Sequence, residues 1–296
     1  MTDKRRQKEE TLLIEIGPPI KREPLLRRLK YPIWTEKKAK LIEEYLFLFV
    51  MITRHGTYID GFTGPQDPDK LHTWAAKLVV ERKPRWFRHF YLFETNKTKV
   101  EAIKQMVASQ APRNKKTEPH RIVEISDHDC NEGIVELLNK GCIKQKEATF
   151  CLLDQHTFEC HWSTVEALAR YKQGGENKIE LFYFLGTSWF GRAIAATKDQ
   201  ERLRAWWGRD DWDQLKKLNS ESCVNLVAER FRSELQYASV KAWPIRNKTD
   251  GGHVMYHMIH ATDHAEAPGL MRRAYEKVVI SAESSTQMDW ISSAMK

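Results

Sequence analysis

Apolar positions along the chain follow two alternating rhythms. Leu41, Ile42, Tyr45, Leu46, Phe49 and Val50 recur at helical spacing, with Thr35 as the expected N-cap and Gly56 as the stop. A short β-prone run at 57–60 follows at once and opens into Gly61-Phe62-Thr63-Gly64-Pro65-Gln66. The same order then repeats. Helical patterns at 73–82, 96–109, 131–140 and 163–172 alternate with apolar strand-like runs at 88–94, 121–125, 148–153 and 179–185.

Past residue 185 the rhythm changes. Residues 199–236 read as helical, charged and tryptophan-rich, with Trp206, Trp207 and Trp212. Two further strand-like runs, 238–247 and 253–262, are joined by Thr249-Asp250-Gly251-Gly252, a hairpin signal. A helix at 268–279 closes the pattern, and no internal repeat is visible.

Five short apolar strands, each followed by a helix, predict an α/β fold: a parallel sheet with helices on both faces. A closing antiparallel hairpin makes the sheet seven-stranded, the plan of class I S-adenosylmethionine-dependent methyltransferases. Dinucleotide-binding Rossmann domains normally carry six parallel strands and no such hairpin. The expected organisation is a basic arm at 1–33, a Rossmann-like domain at 34–280 and a tail at 281–296. A helical Trp/Arg-rich insertion at about 199–237 lies inside the domain.

Composition adds three constraints. With 296 residues, 41% hydrophobic and 10% aromatic, the chain can build a real core. Its formal net charge of +8 favours polyanionic partners, nucleic acid before membrane, although the arm accounts for part of the excess. The 5 cysteines form no Cys-x-x-Cys pair and are odd in number, which fits a reducing compartment better than a disulfide framework. No apolar run reaches membrane-spanning length and the N-terminus lacks a signal-peptide core, so a cytoplasmic protein without membrane contact is expected.

The strand ends carry the candidate chemistry. Ligands of doubly wound sheets bind beyond the carboxyl ends of the strands. Glu94, 34 residues after Asp60, suits a ribose diol; Asp60 suits a sulfonium and amino group; Asp127 suits an adenine amine. Gly61 and Gly64, flanking Phe62, would let the backbone pass close to the ligand. These six residues form the expected S-adenosyl-L-methionine site. The plainer alternatives are N-capping by Asp60 or Asp127 and a surface pair of Glu94 with Lys97.

In order, these motifs resemble the three-Cys-motif partner proteins, a methyltransferase-like family named for neighbouring genes that encode a protein with a three-cysteine motif. The resemblance runs from about Trp34 to Lys277. Tyr58-Ile59-Asp60-Gly61-Phe62-Thr63-Gly64-Pro65 is similar to the family's tyrosine-isoleucine-aspartate turn, and Phe93-Glu94 to its second-strand acid. Asp154 matches the aspartate of its aspartate-proline-phenylalanine-glycine motif. Tyr256 to Asp263-His264 with Gly269-Leu270-Met271 resembles its closing strand and helix. The chain departs from the pattern at Gln66, where another glycine is usual, and at Asp154-Gln155-His156-Thr157.

The resemblance implies Asp154 and His156 as catalytic candidates, Asp154 accepting from a target amine and His156 or Phe158 lying against a base. Trp189 and Arg192, beyond the fifth strand, would line the same side; a core-capping tryptophan and a solvated arginine are the alternatives. The expected function is methyl transfer from S-adenosyl-L-methionine, acting on nucleic acid, with a three-cysteine-motif protein as a possible partner. The competing expectation is a catalytically degenerate binding or adaptor subunit, fed by the two departures.

Other constellations are weaker. Cys151, His156, Cys160 and His161 do not pair at zinc-finger spacing, and Asp127, His128 and Asp129 have no specific metal spacing, so no metal is expected. The stretch from Arg202 to Trp212 reads either as a contact surface for bases or a partner, or as amphipathic helix burying its indoles against the sheet.

Overall fold

A computed structural model describes residues 33–172, 177–247 and 252–280. The basic arm before residue 33, the Gly174-Gly175 break, the Asp250-Gly251 turn and the tail from 281 lie outside the described residues. The elements run α1 (Ile33–Thr53), β1 (Gly56–Asp60), α2 (Ala75–Glu81), β2 (Phe87–Phe93), α3 (Lys97–Ala108), β3 (Ile122–Ser126) and α4 (Cys130–Asn139). They continue through β4 (Thr149–Leu153), α5 (Trp162–Arg170), β5 (Glu180–Leu185), α6 (Phe190–Ala196), α7 (Gln200–Trp207) and α8 (Ser220–Ser233). The hairpin β6 (Ser239–Arg246) and β7 (Val254–Thr262) and the helix α9 (Ala267–Tyr275) complete the order.

The sheet has seven strands in the order β3-β2-β1-β4-β5-β7-β6. β1 pairs in parallel with β2 and β4, and β4 with β5, whereas β7 runs antiparallel to both β5 and β6. The arrangement is a mostly parallel, Rossmann-like α/β sheet. The chain order reverses beside β1: β2 and β3 build outward on one side, β4 and β5 on the other.

Strand periodicity divides the core into two faces. Tyr58, Phe90, Phe150, Phe182 and Met258 point to the side covered by α1, α2 and α9. Ile59, Tyr91, Cys151, Leu181 and Ile259 point to the side covered by α4, α5 and α8. All five positions of β1 are buried, as a strand with neighbours on both edges requires. Among the described residues no helix is long and apolar enough to cross a membrane.

Helix starts follow local capping chemistry. Asn96, Asp129, Asp199 and Asn219 each accept a hydrogen bond from the first turn of α3, α4, α7 and α8. Thr35, expected as an N-cap, is instead inside α1 and buried, because the helix already begins at Ile33. The Trp/Arg-rich insertion belongs to the core: Trp206 and Trp207 are fully buried against α5 and α6.

Candidate functional site

Asp60 closes β1, and its side chain shares the parity of Tyr58, so it points toward α1 and is 1% exposed. The Tyr58 hydroxyl donates to Oδ2 at 2.7 Å, and the Phe62 amide donates to Oδ1 at 3.0 Å. Burial pushes the Asp60 carboxyl up to about 7; these two hydrogen bonds oppose the rise, and the charges of Asp154 and Glu94 add to it. Beyond Asp60 the turn is pinned from both sides. The Thr63 amide donates to the Phe93 carbonyl at 3.0 Å, and the Trp74 indole donates to the Thr63 carbonyl at 2.6 Å.

Glu94, the residue after β2, is held by backbone. Its Oε2 accepts from the Gly64 amide at 3.1 Å and its Oε1 from the Asn96 amide at 2.9 Å. A Cβ on Gly64 would stand 2.1 Å from Glu94 Oε2 and 2.5 Å from Lys99 Cδ. The glycine is therefore what allows the acid to approach the turn.

Asp154, the residue after β4, is paired. Lys38 Nζ on α1 lies 2.8 Å from its Oδ1. The Lys38 side chain is 3% exposed, and its ammonium lies 5.1 Å from the Phe184 ring centroid and 4.9 Å from that of Tyr256. Burial pulls the Lys38 pKa down, but Asp154, Tyr256 and Asp60 outweigh it, and the net shift is upward.

These groups meet in a cleft of about 420 Å³ at the carboxyl ends of β1, β2 and β4, where the strand order reverses. Of the sequence-predicted residues, Asp60, Phe62, Gly64, Glu94, Asp154 and His156 line it, and Gln66 stands exposed at its rim. Buried acids that accept from fixed backbone amides suit a ligand with hydroxyl donors and positive charge.

Five expected residues stand elsewhere. Gly61 faces away from the cleft: a Cβ there would meet Leu153 at 3.1 Å and Cys130 at 3.4 Å, so this glycine serves the packing of α4 on the sheet. Asp127 is exposed and lines a separate hollow beside Glu124 and His128, because β3 is the edge strand, two strands from β1. The cap of the helix that follows is Asp129. Phe158 is 2% exposed with its ring 5.0 Å from Trp206 and 5.6 Å from Phe190, so it belongs to the core. Arg192 is exposed on α6 and donates to the Ser188 carbonyl at 3.3 Å. Trp189 stands behind the cleft wall, 5.4 Å from the His156 ring and edge-on to Tyr256 at 4.8 Å.

Lys38 is the residue that sequence reasoning missed. Its signal was present: Lys38 falls on the apolar stripe of α1, four residues before Ile42 and seven before Tyr45, where a charge is out of place. Gln155 lies in the segment that departs from the family pattern. It ties the loop after β4, its Oε1 accepting from the Cys160 amide at 3.1 Å. Cys151 and Cys160 are fully buried, which pushes both thiols well up. Among the described residues no group of three or more His, Cys, Asp or Glu is set to hold a metal ion.

A smaller hollow of about 180 Å³ lies at the opposite ends of β1, β4 and β5. Glu180 there is buried, with His260 Nε2 at 2.8 Å, Thr262 Oγ1 at 3.1 Å and a hydrogen bond from Tyr45. At less than half the volume of the cleft at Asp60, and away from the carboxyl ends of the strands, this hollow is the weaker candidate.

No protein-family model matches the chain, and no curated protein matches it. Among solved structures it is similar to the crystal structure described as protein LPL1258 from Legionella pneumophila str. Philadelphia 1, family-model DUF519. That likeness covers 83% of this chain and 92% of the other at 11% identity, with a TM-score of 0.41, too slight to carry any conclusion.

Proposed function

We propose that the cleft binds S-adenosylmethionine and that the chain is a class I methyltransferase acting on nucleic acid. The observation that carries this reading is the convergence of Asp60 and Glu94, each fixed by backbone amides, at the break in strand order. The cleft volume, about 420 Å³, lies in the usual range for small-molecule sites, roughly 300–1,000 Å³. The reversed β7 beside β5 is a further point of agreement with that fold class, and the motif order supports kinship with the three-Cys-motif partner proteins.

In this reading Glu94 accepts from the ribose hydroxyls, while Asp60 offsets positive charge at the methionine end. The Gly64 turn holds Glu94 in place. The cofactor would supply a methyl group on a sulfonium, and the protein's part is to orient the acceptor in line and to exclude water. His156, at the cleft wall and backed by Trp189, would rest against a base.

One observation favours the second reading, a binding subunit without catalysis. The acid expected to receive the target amine, Asp154, is already paired with a buried ammonium. Isothermal titration with S-adenosylmethionine and S-adenosylhomocysteine separates the issues. Micromolar binding that Glu94→Ala weakens at least about tenfold supports the cofactor site. No heat at high micromolar ligand would sink it. Binding without transfer of labelled methyl to nucleic acid would favour the binding subunit.

A further inference from the structure

The far end of β2 carries a second chemistry. Arg85, just before that strand, has a side chain 8% exposed and donates to the Ala111 carbonyl at 2.9 Å. Arg121, just before β3, donates to the Val80 carbonyl at 3.0 Å and lies 4.6 Å over the Phe90 ring. The Nε of each guanidinium is buried and has no hydrogen-bond partner. They share one crevice with Arg82, and burial together with the charge of Arg85 holds the Arg121 pKa down to about 10. The crevice, about 10 Å³, is too small to admit an anion, and Arg82 in it is paired with Glu43 and Glu44, so the two guanidiniums act outward through their charge.

Arg85 also opens onto a hollow of about 420 Å³ with Lys83, Trp86 and Asn114 in its wall. Glu118, 3.9 Å from Arg85, is the one acid among the described residues lining it. The exposed loop beside the hollow adds Arg113, Lys115 and Lys116, and Arg54 covers the Trp86 indole at 4.8 Å. Cations spaced around a partly exposed indole are what a single strand of nucleic acid needs: phosphates take the charges, the exposed Arg54 swings to one of them, and a base takes its place on the ring.

We infer that the face formed by Lys83, Arg85, Trp86 and the 113–116 loop binds the backbone of single-stranded nucleic acid. It shares the nucleic-acid partner with the methyltransferase reading but not the cofactor. β2 spans 7 residues, so the face lies about 20 Å from the acidic cleft. It would grip the flank of a substrate strand, not the reacting base.

The test is fluorescence anisotropy of a labelled single-stranded DNA, about 20 nucleotides long, with the full chain at several salt concentrations and no cofactor. Lys83→Glu/Lys115→Glu/Lys116→Glu alters exposed positions and leaves the core intact. It should bind at least about tenfold more weakly than wild type, with a salt slope lower by about 2, as expected for three lost phosphate contacts. Trp86→Ala should cost about tenfold without changing the slope. Absence of wild-type binding at low salt, or a triple variant within about twofold of wild type, would overturn the proposal, the latter by placing the binding on the arm or another face. A duplex of the same length bound equally well and indifferent to Trp86→Ala would overturn the single-strand assignment. Because no cofactor is present, failure of the S-adenosylmethionine reading leaves every one of these outcomes interpretable.

Discussion

Lys38 and Asp154 are 116 residues apart in sequence, yet their Nζ and Oδ1 atoms lie 2.8 Å apart under α1. The pair joins the first helix to the end of β4, so the candidate site is closed by an element that precedes every strand of the sheet. It also sets the charge of the cleft. Lys38 balances Asp154, Lys99 Nζ lies 4.0 Å from Glu94 Oε2, and Asp60 has no such counter-ion among the residues lining the cleft.

Removing one member of that pair should be costlier than removing both. Lys38→Met leaves Asp154 at the base of the cleft without its counter-charge, and should lose about 3–5 kcal/mol in urea unfolding. Lys38→Met/Asp154→Leu should regain at least about 1 kcal/mol of that loss. If the single variant unfolds within about 0.5 kcal/mol of wild type, the ion pair contributes no more than an exposed one does.

Asp60 gives the protein a pH signature. Its folded pKa, about 7, lies above the usual aspartate value of about 3.9, so the folded state holds the proton more tightly than the unfolded chain. Stability from this group is therefore present below the unfolded value and is lost as pH rises toward 7. By pH 8 the loss amounts to about 4 kcal/mol, and Asp60→Asn should remove it. The measurement is the wild-type-minus-variant difference in unfolding free energy between pH 4 and pH 8. A flat difference would mean that Asp60 is ionised throughout. S-adenosylmethionine binding should move oppositely, tightening as pH rises through 7, because the ionised carboxylate is the form that offsets a cation.

Gly64→Ala tests whether Glu94 is the anchor. The new methyl would sit 2.1 Å from Oε2, within backbone-fixed surroundings, so the carboxylate must swing away and release the Gly64 and Asn96 amides. Stability should fall by about 1–3 kcal/mol. Binding of S-adenosylmethionine should weaken as far as it does in Glu94→Ala. Unchanged binding in the glycine variant would dissociate the turn from the site.

The sheet was legible because its signals are local: short apolar runs bounded by turns, and an Asp-Gly-Gly between the last two strands. Asp60, Glu94 and Asp154 were legible for the same reason, since residues that end β1, β2 and β4 must lie at one edge. Where a side chain aims is a tertiary property. Asp127 ends a strand too, but β3 lies about 10 Å from β1 across two strand spacings, and its loop turns outward. Phe158 and Gly61 follow strand ends in sequence, which suggests a substrate-side and a cofactor-side place, yet both face the helix layer. Lys38 was overlooked because a lysine in a charged run, Glu36-Lys37-Lys38, ordinarily faces water.

The Trp/Arg-rich stretch allowed two readings, and Arg230 decides between them. Its guanidinium carbon lies 3.8 Å from the Trp162 ring and 4.2 Å from the Trp207 ring, sandwiched between indoles from α5 and α7. Its Nε and Nη2 each donate to Glu234 at 2.7 Å, and Nη1 donates to the Trp207 carbonyl. Gly208 completes the corner with a φ of 76°, where a Cβ would meet Trp162 at 2.6 Å. Trp162 and Trp207 are thus occupied by the protein's own arginine, and Trp206 and Trp212 are buried, so these indoles cannot receive a base. Arg230→Met should cost about 3–5 kcal/mol in denaturant unfolding followed by tryptophan fluorescence. Arg230→Lys should recover little, since an ammonium reproduces neither the two-pronged pairing with Glu234 nor the stacking. Because the hydrogen bonds from Arg230 hold the Glu234 carboxyl below its usual range, that pair stabilises the fold at neutral pH and is lost as pH falls through the lowered value. An Arg230→Met variant that is as stable as wild type but weakened in nucleic-acid binding would return this stretch to the surface.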